Sequence, residues 1–207
     1  MTTGRDPIVE PIPILSLRPT QVTVGLREVR EKRKRWRQHK AKRRAEFLGR
    51  HMIPVVKGIH ERYYVIDHHH LARALYEEDV EHVLVSVIAD LTMVDRTSFW
   101  TVMDNHRWVH PYDAKGVRRS FTEIPETVDK LVDDPFRSLA GELRRAGGYA
   151  KDTTPFSEFL WADYLRGRIP RKMLKRDFSQ ALERALELAR RQDAIYLPGW
   201  CGPAEEP

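Results

Sequence analysis

Tyr63-Tyr64-Val65-Ile66-Asp67-His68-His69-His70-Leu71-Ala72-Arg73-Ala74-Leu75 is the stretch on which the fold turns. Two aromatic and two β-branched residues in succession read as a buried strand. Leu71, Ala74 and Leu75 then follow helical spacing. Between them lies a four-residue polar turn that opens the helix. The first backbone N–H groups of a helix lack intrahelical partners and sit at the positive end of its dipole, which suits a phosphate. Adjacent imidazoles can donate hydrogen bonds or carry a proton. Asp67, His69 and His70 are therefore the candidate catalytic residues, with His68 and Arg73 as candidate phosphate or nucleotide ligands. A competing reading makes Asp67 a helix cap and the histidines a solvated turn. The residues alone leave both open.

Working outward, Ile53-Pro54-Val55-Val56 reads as a strand, and Gly58-Ile59-His60-Glu61-Arg62 as the hairpin that joins it to Tyr63–Ile66. Ile12-Pro13-Ile14-Leu15-Ser16-Leu17 reads as a short strand that turns out through Arg18-Pro19-Thr20-Gln21, and Val83–Ile88 as a further strand. Gly25 to about Leu48 is free of Pro and of further Gly and rich in helix formers, so one mostly exposed helix is expected, stopped by Gly49. After Asp90 the pattern predicts helix throughout. Asp134-Pro135 pairs a cap with a first-turn proline, and Gly147-Gly148 ends that helix. Thr154-Pro155 is expected to start another in the same way, and Asp177 with Gln180 resembles a capping box. The expected class is α/β (α+β): an α/β region over residues 1–90, with a helical half over residues 91–207 packed on it. No Gly-, Ser- or Pro-rich linker separates them, so one folding unit is expected.

Hydrophobic residues make up 41% of the 207, enough for a core. No apolar run approaches the roughly 20 residues of a bilayer helix, so no membrane partner is expected. The opening residues lack the apolar stretch of a secretory signal, and Cys201 is the single cysteine. A reducing cytoplasm is the expected location.

The net charge is +6, but Arg27 to Arg50 alone carries 12 Lys/Arg against three Glu, a balance of +9 that leaves −3 for the remainder. A concentrated basic stripe is the footprint of a polyanion site, or else a solvated helix face. Arg33, Arg35 and Arg43 would track a phosphate backbone and Trp36 would stack on a base, without sequence preference. His106 and His110 have a helical ligand spacing. With Asp67 and His69 or His70 they would hold a divalent metal ion, the alternative being scattered polar histidines. Glu158 and Asp163 lie among Phe156, Phe159, Trp161 and Tyr164. There Asp163 is expected to pair with Arg166, while Glu158 stays open as an acid or base.

The succession Ile14-Leu15-Ser16-Leu17-Arg18-Pro19, Ile53-Pro54-Val55-Val56 and Asp67-His68-His69-His70 resembles the ParB/sulfiredoxin superfamily over about residues 12–90. That group includes partition proteins, sulfiredoxins and free serine kinases. Asp134-Pro135-Phe136-Arg137-Ser138-Leu139-Ala140 and Phe156-Ser157-Glu158-Phe159-Leu160-Trp161-Ala162-Asp163 resemble a bacterial subgroup of ParB-like nucleases. The resemblance implies that Asp67, His69 and His70 lie beside nucleotide phosphates or a metal. The chain departs from the family where His68 replaces a usual Gly, Leu71 a usual Arg, and Gln21 the serine kinases' catalytic Glu. No cysteine accompanies the turn. Three functions are expected in competition: a nuclease or nucleotide hydrolase, a non-catalytic nucleotide- or nucleic-acid-binding module of partition type, and a small-molecule kinase.

Overall fold

The computed structural model describes residues 9–203. Its mixed α/β architecture divides into two compact units: 9–24, 29–113 and 118–132 within the first, and 25–28, 114–117 and 133–203 within the second. The helix Arg96–Asn105 thus groups with the strands rather than with the later helices, so this division does not fall at residue 90.

The first unit is built on strands β1 (Val9–Pro13), β2 (Leu17–Arg18), β3 (Thr23–Val24), β4 (Ile53–Lys57), β5 (Tyr63–Val65) and β6 (His82–Asp90). Five of them form a curled sheet in the order β1-β6-β4-β5-β2. The strand expected over 12–17 is two strands. A 3-10 turn over Ile14–Ser16 divides them, held by the Ser16 hydroxyl donating to Pro13 O (2.7 Å) and by Ile14 N–H donating to Glu81 O (2.9 Å). β1 then pairs antiparallel with β6, while β2 pairs parallel with β5 at the opposite margin. Pro54 is tolerated in the central strand because it stands at the end of the β5 ladder, where its carbonyl still accepts from Ile66 N–H and no N–H is required of it.

The expected basic helix is also two elements, α1 (Leu26–Gln38) and α2 (Ala41–Arg50). The break at His39-Lys40 lets Phe47 fold back onto Trp36, with ring centroids 5.5 Å apart. Trp36 is 4% exposed and Val29 fully buried. The sparse apolar residues are thereby gathered under the basic ones.

Between β4 and β5, Gly58 is required by its surroundings. A Cβ there would lie 2.3 Å from the Phe99 ring. Phe99 belongs to α4 (Arg96–Asn105), which Asp95 caps by accepting from Thr97 and Ser98 N–H. Phe99 and Met103 join Val22, Val56, Tyr64 and Val109 in a common core. The helical reading of everything after Asp90 is corrected beyond Asn105. Arg107 turns left-handed (φ 55°) and Trp108 N–H donates to Met103 O, a Schellman ending. Residues 106–131 then run through turns and short 3-10 segments, and the brief strand β7 (Val132–Asp133) pairs with β3.

The second unit packs α5 (Pro135–Arg145), α6 (Ser157–Arg166), α7 (Arg171–Arg176) and α8 (Phe178–Ala189) around Leu139, Leu143, Trp161 and Leu165. Asp134 caps α5 and Asp177 caps α8, as their sequences predict. The start of α6 differs. Thr154 does not cap it; instead Phe156 enters through the left-handed region (φ 61°) with no side-chain cap. Among the described residues no helix is long and apolar enough to cross a membrane.

Candidate functional site

The strand β5 ends at Val65, and Ile66 N–H still donates to Pro54 O (3.0 Å). Asp67 and His68 make the turn, and α3 (His69–Tyr76) begins at once. His68 occupies the N-cap position at φ 65°, ψ 22°, in the left-handed region. A residue without Cβ would meet that conformation at no steric cost, so His68 holds a backbone position that favours glycine. The imidazole of His68 donates from Nδ1 to Met52 O (3.1 Å), which fixes the turn against the start of β4.

Asp67 does not cap the helix. Its carboxylate is exposed and accepts from the neighbouring His68 N–H (2.6 Å), and no side chain caps α3. Among the described residues, no N-cap side chain bonds to the first turn of this helix, where the dipole is positive.

The other two histidines point inward. His69 is 5% exposed, and its Nε2 accepts the backbone N–H of Thr20 (3.1 Å). Thr20 is a buried junction. Its hydroxyl donates to Val65 O (2.6 Å) and its carbonyl accepts His110 N–H (2.8 Å). A lone pair must remain on His69 Nε2 for this bond, so His69 does not present that nitrogen to an anion as a donor. Its role is to hold the Arg18–Gln21 turn beside the α3 N-terminus. His70 is buried at 8%. Gln21, next to Thr20, is 5% exposed, and its amide nitrogen meets no hydrogen-bond partner among the described residues.

The remaining sequence candidates separate. Arg73 turns away from the turn. Its guanidinium binds Glu77 (2.7 Å) and the carbonyls of Val128, Asp129 and Leu131, because position 73 lies a full turn along α3, over the 128–131 segment. Leu71 is 5% exposed and packs inward. Arg33 is bound to Glu77 (2.7 Å) and Glu78 (2.6 Å), and Arg37 to Glu78 (2.8 Å). These arginines hold the Glu78 carboxyl below the usual carboxylate range, chiefly through the hydrogen bond from Arg37. Trp36 is buried and cannot stack on a base, whereas Arg35 and Arg43 are exposed.

His106 is the C-cap of α4 and stacks on Trp108, while His110 lies beyond the helix and stacks on Tyr112. The helical spacing on which a metal pair depends is therefore absent. Among the described residues no three His, Cys, Asp or Glu side chains gather as a metal site. In the second unit Asp163 pairs with Arg166, and Glu158 binds Arg144 (2.6 Å) with Arg137 3.6 Å away. Thr20, which joins His69 to the Arg18–Gln21 turn, is the contact that sequence reasoning missed, and its one signal is its place in the turn after the first strands.

A family model described as "Putative ParB-like nuclease" matches residues 10–167, and the chain belongs to this family. Among solved structures it is similar to protein Atu1540 from Agrobacterium tumefaciens, with 52% identity over 95% of this chain and 99% of that one, and a TM-score of 0.89. No curated protein matches the chain.

Proposed function

We propose that this ParB-like protein binds a phosphate group of a nucleotide or nucleic acid at the Asp67–His70 turn. The observation that carries the reading is the start of α3: a buried strand passes through one left-handed residue into a helix whose N-terminus no side chain caps. Such an end presents backbone N–H groups and a positive dipole to an anion. The buried Gln21 amide, in sequence beside the residue that holds His69, adds a donor of the right kind. His69 acts as a positioning residue, and Asp67 is the exposed carboxylate available to a cation that bridges to phosphate. Phosphate-ester hydrolysis is the chemistry this arrangement would serve, and a binding module without turnover is the alternative. No observation favours the kinase reading, because Gln21 cannot act as a base.

The test is His68→Asp. Aspartate tolerates the left-handed region but places a second carboxylate at the helix start. Nucleoside triphosphates should raise the melting temperature of the parent protein, as any ligand of the native state does. That shift should vanish in His68→Asp with the fold intact by circular dichroism. An unchanged shift would place the anion elsewhere. Loss of a labelled oligonucleotide with added divalent metal, in the parent only, would select hydrolysis over binding alone.

A further inference from the structure

The basic segment has a second feature, separate from the charges that α3 absorbs. Where α1 turns into α2, a groove of about 540 Å³ is lined by Arg35, His39, Arg43, Phe47, Arg50 and His51, among others. Arg35 and Arg43 are exposed and have no ion-pair partner among the described residues. Arg50 binds Glu46 at 2.6 Å, with both side chains largely in solvent. Among the described residues that line the groove, one carboxylate, Glu46, therefore faces three guanidiniums, a local surplus of positive charge.

The floor of this groove is aromatic. The Phe47 ring meets the buried Trp36 edge-on, and His51 lies nearly flat on Phe47, with centroids 4.1 Å apart and planes 19° apart. His51 Nδ1 donates to Phe47 O (2.8 Å), which fixes the ring in that plane. His51 is nevertheless exposed. A rigid flat ring in the open, stacked on an anchored aromatic and rimmed by arginines, is the arrangement that takes an unpaired base while the arginines take its flanking phosphates. Bases in a duplex are already stacked and offer no such face. An acidic peptide would use the arginines but gain nothing from the ring.

We infer that this groove binds single-stranded nucleic acid, with one base on His51 and the backbone along Arg35, Arg43 and Arg50. The inference rests on the phosphate reading of the Asp67–His70 turn only for the direction of the strand. Met52 follows His51, and its carbonyl accepts from His68, so the groove and the turn are joined through one residue. The stacking role that the sequence assigns to Trp36 falls instead to His51.

The experiment is fluorescence anisotropy with a labelled oligothymidylate of about 12 nucleotides, within the span of a single-strand site, against a duplex of equal length and a polyglutamate peptide. The oligothymidylate should bind at least about tenfold more tightly than either competitor at equal salt. His51→Ala should weaken it about five- to hundredfold, the range of one lost base stack, and leave its salt dependence unchanged. Arg35→Glu with Arg43→Glu should lower the slope of log affinity against log salt by about 1.4, for two lost single-strand phosphate contacts. In parallel, the thermal shift given by a nucleoside triphosphate should survive both groove variants and vanish in His68→Asp. Equal binding of duplex or peptide, or no effect of His51→Ala on the oligothymidylate, overturns the groove and leaves the turn standing. A nucleotide shift insensitive to His68→Asp, with the groove variants still defective, overturns the turn and leaves the groove.

Discussion

Helices α3 and α5 both follow an aspartate, at Asp67 and Asp134, yet the two carboxylates are used in opposite ways. Asp134 is 1% exposed, accepts from Phe136 N–H (3.0 Å) and binds the Arg166 guanidinium, with Pro135 filling the first helical position. Burial pushes its carboxyl up even against the pull of Arg166. Every part of that helix start is closed by the chain itself. Asp67 stands one residue further from its helix, in solvent, and leaves the helix end without a side-chain cap. The spacing decides the outcome. An aspartate at the N-cap reaches the first-turn N–H groups, whereas an aspartate before a left-handed N-cap residue does not. The first carboxylate serves the fold, and the second serves only its own turn.

The contrast breaks most readily by removing each carboxylate. Asp134→Ala should destabilise by about 3 kcal/mol, since it deletes a cap and strips Arg166 of its buried partner. Asp67→Ala should stay within about 0.5 kcal/mol, because the side chain is exposed and its one bond, from the adjacent His68 N–H, is local and open to water. Urea denaturation of both variants checks this, and equal losses would erase the distinction between the two helix starts.

The far end of α3 sharpens it. Glu77 and Glu78 sit at the helix C-terminus, where the dipole disfavours carboxylates, and Arg33, Arg37 and Arg73 compensate. The folded-state pKa of Glu78 is depressed, so its contribution is complete above the ordinary value of 4.5 and is lost as pH falls through the lowered one. Glu78→Gln should therefore cost about 1–2 kcal/mol at neutral pH and progressively less in acid. Denaturation midpoints measured across that range would show the two proteins converging. Parallel curves would mean that the arginines hold α3 by packing alone.

An effect of the opposite sign is expected at His68. His68→Gly removes a Cβ from the left-handed region and should leave stability unchanged or raise it by up to about 1 kcal/mol. A thermal melt suffices, and a clear loss would show that the Met52 bond outweighs the strain.

The β5–turn–α3 unit was legible because its period changes from strand to helix across four polar residues, and Asp134-Pro135 was legible because a cap is local. Family membership and the mixed α/β class followed from the same residues. What escaped reading was non-local. Ile12–Leu17 is apolar but for Ser16, and its division between the sheet margins depends on that local Ser16 turn together with two distant partner strands. No Pro or Gly marks the break at His39-Lys40; it is the packing of Phe47 on Trp36 that draws it. Nothing near His69 in sequence reveals that Thr20, far upstream, donates to its ring. Residues 106–131 run through turns and short 3-10 segments, too short for a period to mark.

The short ribbon from Val9 to Arg18 has a kinetic meaning. It supplies both outermost strands of the sheet, and each pairs with a strand far along the chain. Neither margin can zip up until the interior strands exist, so closure belongs late in folding, as expected for contacts of high sequence separation. Once closed, one piece of chain clasps both margins. In amide exchange, the outer rungs of β5 and β6 should then open together rather than one at a time.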